Sequence, residues 1–244
     1  MRYVNIIGLD LGQSNDPTAL VFLECPVWVS SAAADEFNVG PAGWRSPSEL
    51  NPHQLRRLPP AAPPELPPLL LRGLKRYELG TRYPIIVADV ARLIAAQKHR
   101  EQTVLVVDKT GVGAPVYDLF IAAALDPIGV SITGGDQVHS DGTLYRVPKR
   151  DLVGAVQSLL QTRRLKFAEQ LPLLPVLMAE LKNFRVKIDP ATAHDSYSAW
   201  REHEHDDMVL AAALACWWAE SQQDARGFSL QYDARTRMHR GRFR

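Results

Sequence analysis

Residues 103–107, TVLVV, constrain this chain more than any other segment. They are continuously apolar, mostly β-branched, and end abruptly on Asp108. A strand of this kind is buried on both faces, so it belongs in the interior of a mixed or parallel sheet covered by helices. The flanking sequence supplies the cover. Residues 84–99 carry Ile86, Val90, Leu93 and Ile94 at amphipathic spacing, with Pro84 in the first turn. They predict the helical crossover that a parallel strand needs. Upstream, residues 3–10 and 18–23 read as two strands joined through the turn LGQSND, a hairpin, and residues 69–79 as a third strand. Downstream, the turn KTGVG leads into a helix over 114–125. A short strand at 127–133 and helices at 147–164, 171–184 and 205–220 follow. The order β-β-β-α-β-α-β-α-α-α is α/β, a mixed β-sheet flanked by α-helices, with no internal repeat.

Residues 41–68 break this pattern. Nine of the 28 positions are proline, which sustains neither a helix nor a central strand, so the stretch reads as an insertion loop or extended arm. With 244 residues the chain can bury a full core without staples. Its two cysteines, Cys25 and Cys216, exclude a disulfide framework and a cysteine zinc site, and read as reduced, buried thiols. The opening residues do not form a signal peptide, and no run of 18 apolar residues exists. A cytoplasmic protein without membrane association is the expectation by elimination.

Three acidic positions stand out by placement. Asp10 ends the first strand, Asp108 ends the most buried strand, and Asp206 and Asp207 open the last helix. Carboxylates at the ends of apolar strands are costly to bury without compensating charge. Neighbouring strands lie about 4.8 Å apart. That spacing suits two divalent cations about 3.5–4 Å apart that share carboxylates. Hard oxygen donors without a Cys/His cluster favour Mg²⁺ or Mn²⁺, two ions, over zinc. Each acid alone also has a structural explanation as a turn former or helix cap, and Asp16 before Pro17 is such a turn residue and a weaker candidate.

The segments GLDLGQSNDPTALVF, VLVVDKTGVGAPVYDLF and EHDDMVLAAALACWWA resemble the nuclease domain of phage terminase large subunits. So do LGTRYPIIVADVARLI, TGGDQVHSDGTLYRVPKRDLVGAVQSLLQTRRLKF and AELKNFRVK. The likeness spans about residues 1–220, interrupted by the Pro-rich stretch, and leaves 221–244 as an Arg-rich tail. It implies an RNase H-like fold, related to Holliday-junction resolvases. It also implies a two-metal endonuclease that cuts double-stranded DNA during genome packaging, in the host cytoplasm if phage-encoded. Asp10, Asp108 and Asp207 match the metal-binding acids, and Asp206 is an additional ligand candidate. His205 is a candidate for orienting water or a ligand, or a solvent-exposed histidine before a helix. Lys109, Lys149 and Arg150 are candidate phosphate contacts, with a solvated helix turn as the plain alternative.

Charge is zoned around these acids. Residues 52–100 and 145–187 each carry nine Lys/Arg against three acids, whereas 189–207 carries one base against six acids. The overall net of +1 is therefore a cancellation, and basic surfaces flanking an acidic pocket suit phosphodiester chemistry. The tail, with Arg240 and Arg242 among its six arginines, reads as an arm for DNA phosphates or a partner, or as a disordered terminus. No G-x-x-x-x-G-K-[ST] is present, so no translocating ATPase is expected of this chain. A separate packaging ATPase, a small terminase subunit or a portal are candidate partners. Competing readings are a Holliday-junction resolvase-like endonuclease, a catalytically weak DNA-binding packaging component, and an actin- or sugar-kinase-like ATPase for which DLGQSN would be a phosphate loop.

Overall fold

The computed structural model describes residues 2–12, 16–27, 66–97, 103–111, 113–183, 206–224 and 227–228. The expected Pro-rich insertion falls outside them except for its last three positions, 66–68, and so does the Arg-rich tail except for 221–224 and 227–228. The described strands are β1 (Arg2–Asp10), β2 (Ala19–Val27), β3 (Leu69–Arg76), β4 (Thr103–Asp108), β5 (Ile128–Thr133), β6 (His139–Asp141), β7 (Leu144–Pro148), β8 (Leu165–Phe167), β9 (Gln223–Asp224) and β10 (Gly227–Phe228). The helices are α1 (Tyr83–Ala95), α2 (Gly113–Ala122), α3 (Lys149–Gln161), α4 (Leu174–Asn183) and α5 (Asp207–Ser221).

Eight strands form one mixed sheet in the order β6-β7-β5-β4-β1-β2-β3-β8, and β9 and β10 pair separately. β2 runs antiparallel to β1 and β3, as the hairpin predicts, and β4 lies parallel to β1 after the α1 crossover. The TVLVV strand is thus interior, with β1 and β5 as neighbours. Cys25 and Cys216 are free and buried.

The pleat sorts the strand residues between two cores. Val4 and Ile6 of β1 and Val106 of β4 join one cluster with α3, α4 and α5. Ile7, Leu9, Leu105 and Val107 face the other cluster, under α1 and α2. α5 is apolar on all sides, and every residue from Asp207 to Ala219 is buried. Its alanines let it lie close against the sheet. Gly8 is the point of closest approach, where a Cβ would come within 2.0 Å of the Ala211 carbonyl oxygen.

The structure differs from the sequence reading at β6, β7 and β8. The hairpin β6–β7 turns at Gly142, which has a φ of 62°. Its residues are mostly exposed, so no alternating apolar pattern marks it, and only the Asp141-Gly142 pair signals a turn. Val147 and Pro148, read as the start of a helix, complete β7, and α3 begins at Lys149. β8 spans three residues, too short for periodicity to register.

Candidate active site

The site lies where β1 and β4 end and α3 and α5 begin. The parallel register pairs Leu9 with Val107, so Asp10 and Asp108 follow as the next residues on adjacent strands. By pleat parity both lie on the α5 side, in line with Ile6 and Val106. α5 runs against β1 through Gly8, Ala211 and Ala215, which brings Asp206 and Asp207 at its start to the same edge. One small cleft, with a cavity volume of about 50 Å³, is lined by Asp10, Asp16, Asp108, Asp206 and Asp207 together with Thr110 and Lys149. Three segments far apart in sequence therefore contribute carboxylates to one place.

Each acid is held by its surroundings. Asp108 is 5% exposed and accepts a hydrogen bond from the Thr110 amide at 2.7 Å. The Thr110 hydroxyl in turn accepts from the Ile132 amide at 2.7 Å, tying the turn to β5. Gly12, which follows Asp10 by two residues, donates its amide to Thr18 Oγ1 at 3.0 Å, and its carbonyl accepts from the Tyr83 hydroxyl at 2.9 Å. Asp206 stands 3.7 Å from the Lys149 ammonium. Asp207, 3% exposed, accepts two hydrogen bonds from one guanidinium, Arg76 Nε to Oδ2 at 2.8 Å and Nη2 to Oδ1 at 3.0 Å. Arg76 Nη2 also donates to Glu180. Glu180 accepts from the Met208 and Val209 amides at 3.1 and 3.3 Å, so it caps the first turn of α5 from outside. Burial and the neighbouring Asp207 charge push the Glu180 carboxyl above its ordinary range, against the pull of Arg76.

The other sequence candidates separate from this cleft. Lys109 lays its ammonium over the Tyr117 ring, 5.1 Å from the centroid. Arg150 is on the surface, paired with Asp136 at 2.7 Å and with Asp151 at 3.5 Å. His205, Arg240 and Arg242 lie outside the described residues.

Sequence reasoning missed Arg76, Glu180 and Thr110. Arg76 reaches the site because β3 bulges. Leu23 pairs with Leu71 but Phe22 with Gly73, which leaves Arg72 as the extra residue. Up to Leu71 the odd-numbered residues face α5; beyond the bulge Leu74 does, and Arg76 with it. Lys75 and Tyr77 turn to the α1 side instead, where Asp89 bonds both. The glycine within an apolar strand is the one local sign of this switch.

The donor set is carboxylate oxygen throughout, which fits hard divalent cations such as Mg²⁺ or Mn²⁺. Among the described residues no group of three His, Cys, Asp or Glu side chains forms a ready-made ligand cage. The adjacent acids of α5 are instead held by Arg76 and Lys149.

No protein-family model matches the sequence, and no curated protein matches it. Solved structures do. The large terminase nuclease from thermophilic phage G20c aligns over 87% of this chain and 81% of its own, at 16% identity and a TM-score of 0.50. The human cytomegalovirus terminase nuclease domain aligns in a Mn-soaked form at 10% identity, TM-score 0.47, over 88% and 83% of the two chains. A second structure of that viral domain aligns over the same shares at 12% identity and a TM-score of 0.45. The chain therefore has the α/β, RNase H-like fold of a terminase nuclease domain.

Proposed function

We propose that this protein is a metal-dependent DNA endonuclease of the terminase large subunit type, cutting double-stranded DNA during genome packaging. The observation that carries the reading is the convergence of Asp10, Asp108, Asp206 and Asp207 on one cleft at the ends of β1 and β4, in a fold shared with a terminase nuclease. These four side chains would hold two divalent cations, Mg²⁺ or Mn²⁺. When bound, such ions supply activation of the attacking water and neutralise charge at the departing 3′ oxygen. The chain's own groups prepare the rest. Thr110 fixes the Asp108 carboxylate through its amide. Lys149, its side chain 12% exposed, sets an ammonium in the cleft beside Asp206 and gives a scissile phosphate a cationic partner. α3 begins at Lys149, so the positive end of its dipole adjoins the cleft that Lys149 lines. The partners of this reading are double-stranded DNA and a packaging assembly of ATPase, small terminase subunit or portal. No helix among the described residues is long and apolar enough to cross a membrane.

The test is Mn²⁺-dependent nicking of supercoiled plasmid by the full chain and by Asp10→Asn and Asp108→Asn. The asparagine oxygen at 108 can still accept from Thr110, so the turn is preserved while the charge is lost. Both variants are expected to lose cleavage by at least about 100-fold, of the size seen when electrostatic groups are removed from an active site. Cleavage undiminished in both, or none by the unaltered chain in any divalent ion, refutes the reading.

A further inference from the structure

Resting on that nuclease reading, we propose that Arg76 and Glu180 form a positioning clamp that sets the affinity of the cleft for divalent cations by fixing Asp207 and the head of α5. Neither residue lines the cleft. Arg76 grips both oxygens of Asp207 in fork geometry and bonds Glu180 with the same guanidinium. Glu180 carries the grip to the backbone, accepting from the first amides of α5. A side chain, its neighbour's carboxylate and the helix terminus that presents it are therefore tied into one unit that spans β3, α4 and α5.

Two features make this more than an ordinary ion pair. The β3 bulge presents an arginine here where an unbroken strand would present Lys75, and only a guanidinium can bind Asp207 bidentately while also reaching Glu180. The fork also takes Asp207 by only two of the about four lone-pair sites that an ionised carboxylate offers. Asp207 can then be held and still contribute to the cleft that it lines. Without the clamp, nothing ties the Asp207 carboxylate to Glu180 and through it to the first amides of α5, so the position of Asp207 in the cleft is no longer fixed.

The experiment uses the full chain with Arg76→Gln, Arg76→Lys, Glu180→Gln, Asp108→Asn and no substitution. Two readouts are taken: the rise in melting temperature as Mn²⁺ is titrated without DNA, and the Mn²⁺ concentration for half-maximal plasmid nicking. Circular dichroism reports whether each variant is folded. Arg76→Gln and Glu180→Gln are expected to need about tenfold more Mn²⁺ or higher in both readouts, with nicking largely recovered at saturating metal. Arg76→Lys, which keeps the charge and loses the fork, should fall between them and the unaltered chain. If Arg76→Gln does not fold, Arg76→Lys and Glu180→Gln decide by the same measure. Native-like variants with unaltered Mn²⁺ requirements overturn the clamp while the nuclease reading stands on Asp108→Asn. An unaltered chain that neither gains stability from Mn²⁺ nor nicks DNA overturns both.

Discussion

Gly8→Ala tests whether the packing of α5 on β1 builds the site. A Cβ at Gly8 would stand 2.0 Å from the Ala211 carbonyl oxygen, 3.1 Å from its carbonyl carbon and 3.1 Å from the Ala215 Cβ. Close carbon–oxygen contacts between backbones settle at about 3.3–3.6 Å, so the two elements must part by roughly 1.3 Å. The obstructing atoms are backbone, so no rotamer change relieves them. Overpacking costs about 1–3 kcal/mol, and a backbone clash belongs at the upper end. The stiffer unfolded chain of the alanine variant returns about 0.4–1 kcal/mol. A net loss of about 2 kcal/mol corresponds to roughly 4–8 °C in Tm for a domain of this size. The displacement also reaches the chemistry, because Ala211 is about one helical turn from Asp207. A shift of about 1 Å in a reacting group can cost on the order of 100-fold in rate. Thermal melts and Mn²⁺-dependent nicking, both normalised to folded protein, are the assays. A Tm within 2 °C of the unaltered chain, or a lowered Tm with full activity, would refute the argument that Gly8 sets the distance between Asp10 and the head of α5.

The parts of the fold visible in the sequence are those where burial writes a periodic pattern. The TVLVV strand, the α1 crossover and the first hairpin all follow from apolar spacing and turn residues. Parity then places Asp10 and Asp108 on one face, because each lies an even number of residues from the core positions Ile6 and Val106. The pairing of Asp206 and Asp207 with them was legible only as a coincidence of acids at element ends. What joins them is the closeness of α5 to Gly8, and that is a three-dimensional fact. Arg76 was hidden for a different reason. A bulge adds one residue to β3 and reverses its facing, so any reading by strict alternation assigns Lys75 to the acidic side and Arg76 to the other. Glu180 was hidden because its role is to accept from the amides of another helix, which its own amphipathic spacing does not encode. The positive zones of the sequence resolve into ion pairs within the protein, and composition alone does not tell which of their residues reach the cleft. Lys149 entered the cleft, whereas Arg150, its neighbour, paired with Asp136 on the surface.

Two further perturbations test the packing away from the cleft. Gly154 is exposed in the interior of α3, with nothing within 4 Å of a Cβ placed there. Gly154→Ala should therefore stabilise the chain by about 0.5–1 kcal/mol through helix propensity, raising Tm by roughly 1–4 °C; an unchanged or lower Tm contradicts it. The other concerns acid stability. Asp89 on α1 accepts from Lys75 at 2.5 Å, from Arg92 at 2.5 Å and from the Tyr77 hydroxyl at 2.8 Å. Burial alone would raise its carboxyl, but these three donors outweigh burial and hold it down to about 2, against an ordinary value of 3.8. A carboxyl depressed on folding contributes stability above its unfolded value and loses it as the pH falls through the folded one. The contribution is thus complete near neutrality, declines from about pH 3.8 towards about pH 2, and is gone below that. Asp89→Asn removes the titrating group, so the variant should be less stable than the unaltered chain near neutrality. The gap between their melting temperatures should then narrow as the pH approaches about 2. Melting curves that stay parallel across that range would show that the Lys75–Asp89–Arg92 network does not couple protonation to folding.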